Sequence, residues 1–292
     1  MVVGLSDGRA TTKDVVKINL HRSNEISKIE KIWPSMPAEV VAADVYCNTV
    51  YVTGVGLFND QIWKYNVSSG WKECGSLVQG RRGHSATFID EVLYICGGHH
   101  FFSVAWVLHS VEAFNAVTKK CSSVGKLFHS VIMDSGNCVP FKVSLYIFDC
   151  AERHVQMYNT KENTCSALLR SMPIRCIGLF TRAVLWETSV IFFGRDTCFL
   201  FNIETKTWQE REHFKTDVSH FGLIIENERI FVVGGGISGT DTDGKTIWKC
   251  IDDVRYVPLK NIFDDKPTEW KIHGKLPKPS LVHACTLVRF FV

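Results

Sequence analysis

The chain has 292 residues, 46% of them hydrophobic and 22% charged, and a net charge of +3. That composition supplies a buried core, excludes a disordered chain, and is too mildly charged to imply a nucleic-acid partner. No apolar run reaches the roughly 18 residues of a membrane-spanning helix, and the opening MVVGL is too short for a signal peptide and lacks its basic leader.

Taken in chain order, the apolar runs are short and alternate with turn residues. MVVGL (1–5) reads as a strand with its front missing, DVVKINL (14–20) as a second strand, and Trp33 as part of a third. TVYVTGV (49–55) and DQIWKYNV (60–67) repeat the first two, and Trp71 follows. RRGHSATFIDEVLYICGG (81–98) adds a strand in front: a basic turn, an apolar run, a tight turn at 89–91 and then the glycine-ended run. HSVEAFNA (109–116) and Cys121 complete that unit. SLYIFDC (144–150), HVQMYNT (154–160) and Cys165 form the next; SVIFFGR (189–195), CFLFNIE (198–204) and Trp208 form another. SHFGLIIENERIFVVGG (219–235), DVRYVPL (253–259) and Trp270 follow, with a second tight turn at 225–228, and HACTLVRFF (283–291) repeats only the front strand.

The sixth letters of the five full glycine-type runs are residues 54, 97, 149, 194 and 234, at intervals of 43, 52, 45 and 40. Such a period marks a repeat array. In each unit strand a follows the basic or proline-bearing turn and strand b carries the glycines. Strand c ends on an aromatic or aliphatic residue, and strand d carries Trp or Cys. No capped 3.6-residue period predicts a helix. Short antiparallel strands in units of this size predict an all-β propeller.

The YxxGG-like strand end, the following aromatic, the Trp about six residues later and the Arg before the next strand together resemble the kelch repeat, over essentially the whole chain. Val55, Asp149, Cys150 and Arg195 depart from the glycine pair, and Cys121 and Cys165 stand in place of Trp. The resemblance and the strand count predict one six-bladed kelch β-propeller over residues 1–292, with four antiparallel strands per blade. The blades fall at about 1–37 plus 280–292, 38–80, 81–127, 128–173, 174–215 and 216–279. N-terminal strands b, c and d and C-terminal strand a would close the ring and hide its sheet edges. A chain that begins in mid-blade is expected to be a domain cut from a longer protein. Gly97 and Gly98 are read as architecture, ending strand b where the chain turns sharply and blades crowd. No helix follows to make them a phosphate loop.

His84, His220 and His283 share one repeat position, which predicts hydrogen bonds to a neighbouring blade. Trp33, Trp71, Trp208 and Trp270 are expected to pack the blades. Eleven cysteines, an odd number without a CxxC pair, predict free thiols in a cytoplasmic or nuclear protein.

His99 and His100 open a b–c loop that also holds Phe101, Phe102 and Trp106. Adjacent side chains of an extended chain point apart, and zinc needs three or four converging ligands, so no metal site is expected. The loop either tucks onto its own blade or anchors a partner. Arg81, Arg82, Arg175 and Lys278 precede strand a, while Arg153, His154 and Arg195 belong to b–c loops. Chain direction puts d–a and b–c loops on one face, where convergent arginines suit carboxylates or phosphates. The alternative is solvated charge or inter-blade salt bridges.

No GxSxG, HExxH or P-loop pattern marks an enzyme, and no cofactor is expected. The resemblance implies a protein-interaction module similar to the C-terminal half of BTB-kelch adaptors. In those proteins an upstream BTB domain, absent from this chain, binds a cullin scaffold, and the propeller captures the substrate for ubiquitination. The partner would be a short, acidic or turn-forming segment. A cytoskeletal kelch module binding actin, or a propeller enzyme resembling copper oxidases or sugar epimerases, are the alternatives.

Overall fold

The computed structural model describes residues 2–6, 15–22, 25–29, 42–100, 102–130, 137–149, 153–169, 172–173, 181–240, 243 and 246–287. The chain opens with β1 (Val2–Ser6), β2 (Val15–Ile18) and β3 (Ile26–Ile29). β4 (Ala42–Tyr46), β5 (Thr49–Val55), β6 (Gln61–Asn66) and β7 (Gly70–Ser76) form an antiparallel sheet in that order. Next come β8 (Arg81–Arg82), β9 (Ser85–Ile89), β10 (Val92–Cys96), β11 (His99–His100), β12 (Ser103–Val107), β13 (Ser110–Asn115) and β14 (Cys121–Lys126). They divide into a sheet β9-β10-β13-β14 and a small sheet β8-β11-β12.

β15 (Cys138–Phe141), β16 (Ser144–Asp149), β17 (His154–Asn159) and β18 (Thr164–Leu169) make the following sheet. β19 (Arg182–Trp186), β20 (Ser189–Phe193), β21 (Cys198–Asn202) and β22 (Thr207–Glu210) make another. After β23 (Gly222–Glu226) and β24 (Arg229–Val233), the hairpin β25 (Gly236–Thr240) and β26 (Thr246–Cys250) intervenes. β27 (Asp253–Pro258), the helical turn α1 (Leu259–Phe263) and β28 (Lys271–Lys275) complete that sheet. Finally β29 (Leu281–Cys285) pairs antiparallel with β1, Val3 opposite Ala284, so the last sheet runs β29-β1-β2-β3.

The described residues thus hold six four-stranded antiparallel sheets, each in the a–b–c–d order expected from the repeats. They pack as two compact units. One, drawn from residues 1–32 and 180–285, carries β1–β3 and β19–β29; the other, from 33–179, carries β4–β18. Two local expectations change. The return strand of the first repeat is β3, with Ile26 opposite Ile18, ahead of Trp33, which lies outside the described residues. Trp270 stands one residue before β28, and the longer spacing from Tyr256 is taken up by α1. The stretch at 237–247, on which the sequence carries no reading, lies within the hairpin β25–β26.

Local chemistry explains the elements. Strand b is mostly apolar because both its faces are covered, and all six residues of β16 are buried, its terminal Ser144 and Asp149 included. Asn227 and Glu228 both have positive φ (49° and 54°), the primed turn that matches strand twist between β23 and β24. Gly97 and Gly98 sit at φ +63° and +88°, and a Cβ on Gly98 would lie 2.7 Å from the Arg82 carbonyl oxygen. Only glycine tolerates that combination.

Within each unit, apolar side chains of adjacent sheets interlock. Tyr51, Ile62, Leu77, Phe88, Leu93, Ile95 and Phe114 form one such core, and Ile191, Phe193, Leu200, Phe221, Ile230 and Val232 belong to another. Full burial of such side chains contributes about 1.5–3 kcal/mol each. Polar ties register the sheets. Asp44 of β4 accepts from the Phe88 backbone N–H (2.7 Å) and the Thr87 hydroxyl (3.0 Å) of β9. Arg182 of β19 donates to the carbonyls of Phe221 (3.1 Å) and Val282 (3.3 Å). His84 fulfils the expected histidine role, its Nε2 bonding Thr53 of the preceding sheet. The side chain of His283 lies outside the described residues.

Candidate functional site

The small sheet β8-β11-β12 brings the d–a turn and the b–c segment together. Arg82 pairs with His99 and Arg81 with His100. β11 and β12 then make an irregular hairpin. His100 faces Ser103 and His99 faces Val107, so residues 104–106 bulge out of register. The His100 ring stacks on Phe102 (centroids 5.5 Å apart, 27°) and meets Trp106 at 5.6 Å. Phe102 is 73% exposed and Trp106 62%. This segment therefore holds its aromatic rings outward instead of tucking them into the blade. The small sheet and its turn contain no acidic side chain. Phe101 lies outside the described residues.

Arg81 does not belong to this surface. It is 0% exposed, and its guanidinium is consumed internally. It donates to the Glu112 carboxylate, the Ser110 hydroxyl (2.9 Å) and the carbonyls of Ser110 (3.2 Å), Gly97 (3.0 Å) and Gln79 (3.2 Å). Glu112 also accepts the backbone N–H of Val78 (2.7 Å) and of Gln79 (3.1 Å). A buried charge needs such complete pairing, so the partner-binding expectation for Arg81 is corrected, and its salt bridge falls within the 81–127 repeat rather than between blades. Arg153 is half-buried, and its Nε donates to the Met172 carbonyl at 2.8 Å, tying it to the chain rather than to solvent. His154 stacks on His129 at 4.2 Å and 17°.

Arg82 is half-buried beside His99. Arg195 and Lys278 belong to the other unit. Arg195 is exposed, 3.9 Å from the Asp196 carboxylate and 3.5 Å from the Ser238 hydroxyl. Arg175 lies outside the described residues. The structure thus gathers Arg82, His99, His100, Phe102 and Trp106 and removes Arg81. Among the described residues no three His, Cys, Asp or Glu side chains gather as metal ligands.

Sequence reasoning missed Glu112 and Gln156, which occupy the third position of β13 and β17. Gln156 clasps the next d–a turn, accepting from His129 N–H (2.8 Å) and donating to its carbonyl (3.1 Å). The two cysteines that replace Trp serve the same pair. Cys121 donates its S–H to Glu112 at 3.5 Å, and Cys165 to Gln156 at 3.7 Å. Burial, reinforced by the Glu112 charge, pushes the Cys121 thiol up to about 12, so it remains an S–H donor.

Residues 80–127, the span of this sheet and its hairpin, match the family model of the Kelch motif. The chain is 26% identical over 242 residues to Kelch-like protein 25 of Xenopus tropicalis, covering 74% of this chain and 39% of that protein. It is 26% identical over 279 residues to Kelch-like protein 25 of Homo sapiens (83% and 45%) and 26% over 259 residues to Kelch-like protein 23 of Homo sapiens (82% and 42%). The chain spans less than half the length of these curated relatives. Sheets and likeness together support a kelch-repeat propeller resembling the domains of kelch-like proteins, a protein-interaction fold.

Proposed function

We propose that this chain is the substrate-recognition domain of a cullin–RING ubiquitin ligase adaptor. On this reading the six sheets are the blades of one closed propeller, the domain binds rather than catalyses, and it works in the cytoplasm or nucleus. A BTB domain elsewhere in the full-length protein would hold the cullin scaffold. The partner would offer a short, acidic segment to the end of the sheets where d–a and b–c connections lie. The observation that supports it most is the outward-held His100, Phe102 and Trp106 beside Arg82, within the segment that matches the Kelch motif. Exposed aromatics beside an arginine have the composition of binding hot spots.

The test is an affinity capture from lysate with the full-length protein, beside its Arg82→Ala/Arg175→Ala/Arg195→Ala variant, read by mass spectrometry. A cullin retained by both and a partner lost by the folded variant support the reading. Capture of neither, or partners indifferent to the variant, overturns it.

A further inference from the structure

Three thiols of the 33–179 unit are committed to oxygens of their own sheets. Cys74 donates to the Ile62 carbonyl (3.4 Å), Cys121 to Glu112 and Cys165 to Gln156. Cys138 instead hydrogen-bonds another free thiol, that of Cys96. The two stand on different sheets. Cys96 ends strand b of one, opposite Ser85 and Val111, and directly precedes the Gly97–Gly98 turn. Cys138 opens strand a of the next, opposite Ile147. The a strands of these sheets, β9 and β15, adjoin, and the two cysteines share one apolar core with Tyr94, Leu127, Leu145 and Tyr158. Cys96 is 0% exposed and Cys138 7%.

A single buried cysteine packs as a small hydrophobe. Two thiols in mutual contact across a sheet boundary are, in addition, the reduced form of a cross-link. We propose that Cys96 and Cys138 are a redox staple: under a hydroperoxide they join as a disulfide that ties the sheet β9-β10-β13-β14 to the sheet β15-β16-β17-β18, and a reducing thiol reopens it. The inference is independent of the interaction-module reading. The chemistry balances in two steps. One thiolate attacks the peroxide O–O bond; its sulfur becomes a sulfenic acid, and the departing alkoxide or hydroxide takes up the thiol's proton. The second sulfur then attacks the sulfenic sulfur; the S–S bond forms, the S–O bond breaks, and oxygen and the second proton leave as water. Two thiols are oxidised and one peroxide is reduced by two electrons. The hydrogen bond with Cys96 first, and burial second, hold the Cys138 thiol well above its ordinary value of 9.0, so it keeps its proton at neutral pH. The folded pair therefore resists brief exposure and responds to sustained oxidant. The link closes the chain from residue 96 to residue 138, which stabilises the fold by restricting the unfolded ensemble.

The test starts from the whole chain, fully reduced and folded, held with hydrogen peroxide near neutral pH. Remaining thiols are alkylated, and the peptides are mapped without reduction by mass spectrometry. The expected product is a linked pair of peptides holding Cys96 and Cys138, about 2 Da lighter than the two thiol peptides together and lost on treatment with dithiothreitol. The oxidised chain should melt at least about 5 °C above the reduced one. Cys96→Ala and Cys138→Ala should each abolish both the link and the rise in melting temperature. If either variant fails to fold, the wild-type map and melting curves decide alone. Exposed Cys47 marks when oxidant has acted. Free thiols at both positions after Cys47 is oxidised overturn the staple, as do sulfinic acid or links to other cysteines in place of the 96–138 pair. A link that forms only in urea, or one that leaves the melting temperature unchanged or lower, overturns it as well.

Discussion

The Nε2 of His84 lies 2.7 Å from the Thr53 hydroxyl, joining the turn that opens one sheet to strand b of the sheet before it. Burial first, and the Arg81 charge second, push the imidazole pKa from 6.5 down to about 3. The folded protein holds this histidine neutral, whereas the unfolded chain takes up a proton at 6.5. Its contribution is complete above that value and is lost as pH falls from 6.5 toward 3. Urea midpoints measured across this window should decline for wild type and decline less for His84→Gln, which keeps a hydrogen-bonding group without the titration. Equal slopes would remove His84 from the acid response.

Asp44 has the opposite sign. Enclosure raises its carboxyl above the ordinary 3.8, against the lowering effect of the Phe88, Val45 and Thr87 donors. The unfolded chain therefore ionises first, and the cost of the buried charge appears as pH rises through the folded value and vanishes below 3.8. Asp44→Asn removes that charge while keeping an oxygen for Phe88 and Thr87, at the loss of the Val45 bond (2.8 Å). Relative to the variant, wild type should gain stability as the solution is acidified, measured by the same titration. A difference that stays constant with pH would show that Asp44 is not the titrating group.

The buried Arg81–Glu112 pair predicts strong non-additivity. Removing one member strands the other charge inside, so Arg81→Met alone should cost about 3–5 kcal/mol. Arg81→Met with Glu112→Gln should recover much of that loss, because the next sheet already clasps its d–a turn with a neutral Gln156. A double-mutant cycle in urea checks it. Additive losses would mean that the two side chains act separately.

That pair also shows where the sequence ran out. The repeat period, the strand order and the glycine turns were all legible, because strand alternation, tight turns and φ-positive glycines are local properties. Whether Arg81 faces solvent depends on Glu112, 31 residues away on another strand. One signal was available: acidic or amide residues at the third position of SVEAFN and HVQMYN, inside otherwise apolar strands. The aromatic hairpin was half-legible. HHFFSVAWV reads as a segment that either tucks onto its blade or anchors a partner, and its pairing with Arg81–Arg82 is a two-residue ladder too short to leave a periodic trace.

Gly98 and Gly70 separate two reasons for glycine. Both have positive φ, +88° and +67°, but a Cβ on Gly98 would meet the Arg82 carbonyl at 2.7 Å and His84 Cβ at 2.9 Å, while one on Gly70 meets nothing within 4 Å. Gly70→Ala should therefore cost only the backbone term, about 1–2 kcal/mol. Gly98→Ala adds a clash that can be relieved only by moving strand β8 or the His84 turn, so its loss should exceed that of Gly70→Ala. It should also weaken the partner segment's grip on the neighbouring hairpin, since Arg82 pairs there with His99. Thermal unfolding of the two variants side by side decides the matter. Equal losses would mean that strand end has room for a side chain, and that the glycine pair serves the turn alone.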